Sequence, residues 1–260
     1  MKNSVRGAAW RVLLALPVCV AAALAPARAE TLRLQGSTTF NSTLLVPYQS
    51  DIESVSGHKL NVAASKSSLG LIALMEGHAD LAMISAPLET EIDLLQKTRP
   101  DLPTERLKSF LIHHTRVAFA VNPSNPVRTA RWATMRRVLN GELDNWKQLG
   151  GPDLPIRVVM VHEGGGVLLS IERQLMRGQR ASPRSPVLVD SGPQLPAVVA
   201  QDAGAVGLAQ LGEVRRHGLP EIALPVAIEQ QLFLVSADEP SPAMYAVIDA
   251  ARRVAAGQLE

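Results

Sequence analysis

Three short runs of small polar residues and glycines carry the chemistry of this sequence. They are Gly36-Ser37-Thr38-Thr39-Phe40, Ser65-Lys66-Ser67-Ser68 and His162-Glu163-Gly164-Gly165-Gly166. Each follows an apolar, strand-like stretch, and each precedes a stretch with helical spacing. A turn of this kind aims unpaired backbone N–H groups and the positive end of a helix dipole at one point. The first two runs carry hydroxyls at Thr38, Thr39, Ser67 and Ser68, and Lys66 lies in the second. The chemistry is the cradling of an anion or small polar ligand, and the chain reads as a binding protein before it reads as a catalyst. His162 could donate to an oxyanion. Glu163 could select a protonated oxyanion or an ammonium group, or could simply cap the helix that follows.

Other chemistry finds little support. There is no Gly-x-Ser-x-Gly elbow, and no spacing links a Ser, a His and an Asp. Adjacent His113 and His114 point to opposite sides of a strand and do not suit one metal. The triple glycine lacks the Lys-Ser/Thr of a phosphate-binding P-loop. No enzyme activity, no metal and no cofactor is expected. His58, His78 and His217 sit beside glycines in turn-like settings, and Trp132 and Trp146 are expected to pack in a core.

The elements that would position these loops alternate along the chain. Strands are expected at 31–35, 59–63, 81–85, 110–114, 116–121, 157–161, 206–208 and 231–235. Helices are expected at 41–54, 68–76, 89–97, 131–139, 167–177, 194–201 and 242–256. The first helix would present Leu44, Leu45, Tyr48, Ile52 and Val55 on one face. Residues 179–186 read as a polar loop. The pattern is α/β, with parallel sheets flanked by helices.

Residues 1–29 read as an export signal, outside the fold. Lys2, Arg6 and Arg11 precede an apolar run over 12–25, and Ala27-Arg28-Ala29 is a small-x-small cleavage site. Val18 precedes Cys19 where lipid attachment wants Gly, Ala or Ser, so a lipoprotein is not expected. Cleavage after Ala29 would remove the single cysteine and place a disulfide-free protein in the periplasm. Those 29 residues hold four of the 26 Lys and Arg and none of the 24 Asp and Glu, so the remainder carries 22 against 24, a net charge of −2. With no basic stripe and 3% aromatic residues, nucleic-acid binding is not expected.

The loops and their order resemble the phosphate-binding protein family of bacterial phosphate ABC transporters, with the type 2 periplasmic binding fold. Gly36-Ser37-Thr38-Thr39-Phe40 is similar to the family's Gly-(Ser/Ala)-x-(Thr/Ser)-Phe loop. Ser67-Ser68-Leu69-Gly70, followed by Asp80-Leu81-Ala82-Met83-Ile84-Ser85-Ala86-Pro87-Leu88, resembles its next two segments. Leu139-Asn140-Gly141-Glu142, Asn145-Trp146, Ser191-Gly192 and Gly204-Ala205-Val206-Gly207 follow in the family's order.

The resemblance implies two α/β lobes, 30–115 plus 236–260 and 116–235, joined by two crossings and closing on a ligand by hinge motion. It places Thr38, Thr39, Phe40, Lys66, Ser67, Ser68, Ser85, His162, Glu163, Gly164, Gly165 and Gly166 about the ligand. It implies a small anion, phosphate first, an ABC permease partner and a monomer. The family's second-lobe loop reads Arg-x-Asp-Gly-Ser-Gly-Thr. Here Val161 stands for the arginine, Glu163 for the aspartate, Gly165 for the serine and Val167 for the threonine. Ser85 stands for the aspartate that reads a phosphate proton, which makes fully ionised anions more acceptable. Loss of the arginine fork and two hydroxyls predicts weaker phosphate binding, because each charged hydrogen bond contributes about 1.5–3 kcal/mol. A second expectation is a ligand-free scaffold or signalling protein that acts through protein contacts.

Overall fold

The computed structural model describes residues 29–162 and 165–258. The expected export signal, apart from Ala29, and Glu163 and Gly164 therefore lie outside the described residues.

The chain opens with β1 (Thr31–Ser37), where Leu32 and Leu34 turn inward and Thr31 and Arg33 outward. The alternation is that of a half-buried strand. A helical segment follows in three parts: α1 (Thr38–Phe40), a π turn (Asn41–Leu45) and α2 (Val46–Ser56). Then come β2 (Lys59–Ser65), α3 (Ser67–Met75), β3 (Leu81–Ile84) and α4 (Leu88–Gln96). The long β4 (Lys108–Val121) leads to α5 (Trp132–Leu139), β5 (Arg157–Val161), α6 (Gly166–Gln174) and β6 (Pro186–Val189). The chain finishes with α7 (Leu195–Gln201), β7 (Ala205–Gln210), α8 (Leu211–Arg216), β8 (Glu221–Ile222), β9 (Ile228–Ser236) and α9 (Pro242–Gln258).

One sheet links these strands in the order β2-β1-β3-β9-β4-β7-β5-β6, with β8 paired to β4. The outer strands pair in parallel: β1 with β2 and β3, and β5 with β6 and β7. The central pairs β3–β9, β9–β4 and β4–β7 are antiparallel. The fold is thus two mainly parallel α/β lobes sharing two through-running strands. Strand β4 pairs with β9 over Lys108–Val117 and with β7 over Val117–Val121. The register slips between Leu111 and His113. The two strand runs expected at 110–114 and 116–121 are one strand interrupted by that irregularity.

Four buried clusters are divided between the two sides of the crossing. The larger one of the first side gathers Leu32, Leu34, Phe40, Ile52 and Leu81 under α9. The larger one of the second side gathers Phe119, Val158, Ile171 and Val206 around Trp146, whose indole N–H donates to the Gly204 carbonyl at 2.9 Å. Trp132 packs against that second core, as expected.

The first helix departs from its expected face. Leu44, Leu45 and Ile52 are buried, but Val55 is exposed. Pro47 lacks an N–H and its ring clashes with the carbonyl four residues back. A wider turn relieves this clash, and the π turn over 41–45 together with the non-helical φ/ψ at Tyr48 rotates the remainder of the helix. The polar stretch 179–186 ends in β6, and α8 and β8 lie in stretches with no clear periodicity. Among the described residues no helix is long and apolar enough to cross a membrane.

Candidate functional site

A cavity of about 230 Å³ lies where the two lobes meet. The ends of β1, β2 and β3 deliver its first wall, and the start of α3 lies on that wall. Close packing makes this possible. A Cβ on Gly70 would stand 2.4 Å from the Gln35 carbonyl, so only glycine lets α3 lie against β1. Gly36 has φ +133 and its missing Cβ would meet the Met83 carbonyl at 2.2 Å, a backbone position that favours glycine.

Thr38, Thr39, Lys66, Ser67 and Ser85 line the cavity from this side. Helix α3 begins at Ser67 after an extended Lys66 that supplies no side-chain cap. Ser67 and Ser85 are buried, while Lys66 is exposed at the mouth. Val161, His162, Gly165, Gly166 and Val167 line it from the second lobe. Helix α6 also starts without a side-chain cap, at Gly165. Its first residue sits on the other lobe: a Cβ on Gly166 would be 2.2 Å from Ser85 Oγ and 2.4 Å from Gln230 Nε2. A Cβ on Gly165 would meet only Val161, at 3.4 Å.

Two expected residues are placed elsewhere. Phe40 is fully buried in the first core, and its N–H donates to Ser37 Oγ at 3.2 Å, closing the α1 turn on itself. Ser68 points away from the cavity because successive helix residues diverge by about 100°. It lines a separate groove between the lobes with Glu91, Glu172 and Arg180.

Sequence reasoning missed the buried polar floor. Gln210, at the end of β7, accepts from Thr115 Oγ1 at 2.8 Å and from Thr43 Oγ1 at 3.4 Å. Its amide donates to Gln230 Oε1, and Gln230 Nε2 donates to the Ser85 carbonyl at 2.9 Å. Ser37 Oγ donates to Ser85 Oγ at 2.9 Å, which leaves the Ser85 proton for the cavity. This network ties the second lobe to the first through β9. Its signal in the sequence was faint: Gln230 is a polar residue at an inward position of an alternating strand.

The electrostatics are mixed. His162 Nε2 stands 3.7 Å from Asp190 Oδ1, with both side chains largely exposed. Glu213, 6% exposed, lines the far wall and accepts from Arg216 at 2.5 Å. Among the described residues, the lining includes one lysine, no arginine and two carboxylates. Attraction for an anion must therefore come chiefly from N–H and O–H dipoles, which act strongly in a site shielded from water. Among the described residues no group of three His, Cys, Asp or Glu could hold a metal ion.

The family model for the PBP superfamily domain matches residues 21–248. The phosphate-binding protein PstS of Bacillus subtilis (strain 168) is 23% identical over 177 residues, which cover 68% of this chain and 56% of that protein. The chain thus aligns with little more than half the length of that curated relative. A phosphate ABC transporter substrate-binding protein structure from Clostridium perfringens, with bound phosphate, superposes with a TM-score of 0.71 at 19% identity, covering 85% of this chain and 92% of that one. An ABC-type phosphate transport receptor from Vibrio cholerae gives 0.64 at 21% identity, over 87% and 97%. These likenesses agree with the loop resemblance and with the type 2 periplasmic binding fold. With the model matched over most of its length, the chain belongs to the PBP superfamily, beside the phosphate ABC transporter substrate-binding proteins that its loops resemble.

Proposed function

We propose that this chain is an exported, non-enzymatic solute-binding protein that holds phosphate or a related small oxyanion between its lobes and hands it to a membrane permease. One observation carries the reading: α3 and α6 begin on opposite lobes, both without a side-chain cap, at the wall of one cavity. Helix starts of that kind have N–H groups to give, and an oxyanion is their natural partner. Thr38, Thr39, Ser67 and Ser85 supply hydroxyls, and Lys66 and His162 supply what charge the site has. Glu163 and Gly164 complete the second-lobe loop in this reading. The lobes are 30–115 plus 236–260 and 116–235, and closure brings Gly166 onto Ser85. The protein acts as a monomer in the periplasm, with no role for nucleic acid. Phosphate is the first ligand to try. Val161, Val167 and Leu208 give the cavity an apolar side on which the organic part of a phosphonate or phosphate ester could rest.

Calorimetry and thermal shift on protein stripped by unfolding and refolding test this, against phosphate, sulfate, arsenate, phosphonates, carboxylates and amino acids. A ligand at 100 times its Kd raises stability by about 2.7 kcal/mol. Silence across the panel would remove the reading.

A second reading, a scaffold that kept the fold, draws on the direct seating of Gly166 on Ser85 and the lack of an arginine among the described cavity residues. Closure would then be protein on protein. Capture of a partner by the protein, unaffected by every anion of the panel, would favour it.

A further inference from the structure

Glu213 is the residue that a cradle for a bare oxyanion does not explain. It is 6% exposed, yet it lines the cleft as part of the second-lobe wall. A carboxylate there opposes an anion, and burying one costs free energy unless it has partners. Glu213 stands in the first turn of α8, just after β7. A helical side chain leans back over the turn before it. That of Glu213 therefore lies towards the end of β7, where Leu208, Ala209 and Gln210 also line the cleft.

Its cation comes from the other side. Arg216 donates to Glu213 Oε1 at 2.5 Å, and about half of the arginine side chain is exposed. Arg216 lines a second cavity beside the crossing strands, which shares Gln210 and Glu213 with the cleft, and it does not line the cleft itself. His217 Nδ1 stands 4.0 Å from Oε2, beyond hydrogen-bond reach. Among the described residues Oε2 accepts no hydrogen bond, and it is not sealed from solvent. One carboxylate oxygen is thus held from behind, and the other is open to a donor. A carboxylate at the start of a helix also suits the helix dipole. An exposed side chain would serve that role equally well, so the dipole gives no reason for a place in the cleft wall.

We propose that the ligand is a zwitterion: an aminoalkyl phosphonate or phosphate monoester, its oxyanion at the starts of α3 and α6 and its ammonium group at Glu213. The inference deepens the oxyanion reading above and rests on it. The cavity of about 230 Å³ has room for more than a bare oxyanion, since one water needs only about 10–15 Å³ of such space. Val167, Leu208 and Ala209 supply apolar wall for a short alkyl chain. An ammonium carries three donors and suits an oxygen that has none of its own. Asp190, the other carboxylate of the lining, is a poorer partner, because its side chain is 87% exposed and water weakens the attraction.

Titration calorimetry at about pH 7.5 on protein stripped by unfolding and refolding compares 2-aminoethylphosphonate, ethylphosphonate and inorganic phosphate. The two phosphonates share an anionic headgroup, so their difference isolates the ammonium. The amino compound should bind about tenfold more tightly or better, the worth of one charge-assisted hydrogen bond. In Glu213→Gln that preference should shrink to less than about twofold, with ethylphosphonate bound as well as before. Arg216→Gln, which leaves the carboxylate in place, should keep the preference. The wild-type comparison is decisive even where Glu213→Gln does not fold. Equal binding of the two phosphonates, an unchanged preference in Glu213→Gln, or binding of phosphate alone overturns the zwitterion and leaves the oxyanion reading standing. Silence to all three removes both.

Discussion

The two walls of the cleft are built on different principles. The first-lobe wall is dense in hydroxyls: Ser37, Thr38, Thr39, Ser67 and Ser85 all reach it. Ser37 and Ser85 are held to each other and, through Gln230 and Gln210, to the body of the protein. The second-lobe wall has no hydroxyl: Val161, Gly165, Gly166, Val167 and Leu208 line it, and its polar side chains are His162, Asp190, Gln210 and Glu213. Fixed side-chain donors discriminate between ligands, since each has a set direction and proton count. Glycine backbone discriminates little but permits close approach. Under the proposed binding reading, the contrast puts fixed hydroxyl donors on the first lobe and close backbone approach on the second.

The sharpest way to break this division is at Gly166. Its Cβ position overlaps Ser85 Oγ, the Ser85 carbonyl and Gln230 Nε2 at 2.2–2.6 Å. Gly166→Ala should prevent the lobes from meeting and weaken anion binding by about 100-fold or more, since misplacement of about 1 Å can cost that much. The adjacent Gly165→Ala meets only Val161 at ordinary distance and should change affinity less than about threefold. Titration calorimetry on the pair, with small-angle scattering to read lobe separation, checks this. Equal effects at the two glycines would mean that the second lobe is not seated through α6.

Two predictions sharpen the first-lobe side through stability. An acid whose folded pKa is raised is stabilising below its unfolded value, and the benefit is lost as pH climbs to the folded one. For Glu91 the window runs from 4.5, its ordinary value, to about 7. Above it the buried carboxylate costs about 3 kcal/mol. Glu91→Gln should therefore gain on the order of 3 kcal/mol at pH 8 and nothing at pH 4, measured by urea unfolding at both. Gln230→Ala should lose about 2 kcal/mol, because Gln210 and the Ser85 carbonyl would each lose a buried partner. A loss at Gln230 under about 0.5 kcal/mol would mean that the interlobe network contributes little to holding the walls together.

What could be read from the sequence follows the range of the forces involved. Strand β5 (Arg157–Val161) showed itself as a short apolar run before a glycine-rich turn, a local signal. The convergence of 38–39, 66–67, 85 and 165–166 came from loop chemistry and order along the chain, and those residues do share a cavity. The rotation of the first helix did not show, because Pro47 can be met by a kink, a stop or a π turn and packing chooses among them. The withdrawal of Phe40 and Ser68 depends on which face of a turn looks at the cleft. Gln210 and Gln230 were out of reach for a different reason: twenty residues apart in sequence, they meet only when β7 and β9 stand either side of β4.

The smallest effect is expected at Lys66, the one lysine of the lining. It is exposed at the head of α3 and contributes no cap to that helix. An exposed charge acts through water and salt, so its attraction for an anion is worth under about 1 kcal/mol at physiological ionic strength. Lys66→Gln should weaken anion affinity about threefold at low salt and by less than twofold in about 0.5 M chloride. Ser67→Ala, which removes a buried donor, should keep its larger effect at both salt concentrations. If Lys66→Gln instead removed binding regardless of salt, the lysine would have to close over the ligand as a buried contact. Selection would then rest on charge at the mouth rather than on the hydroxyls of the first lobe.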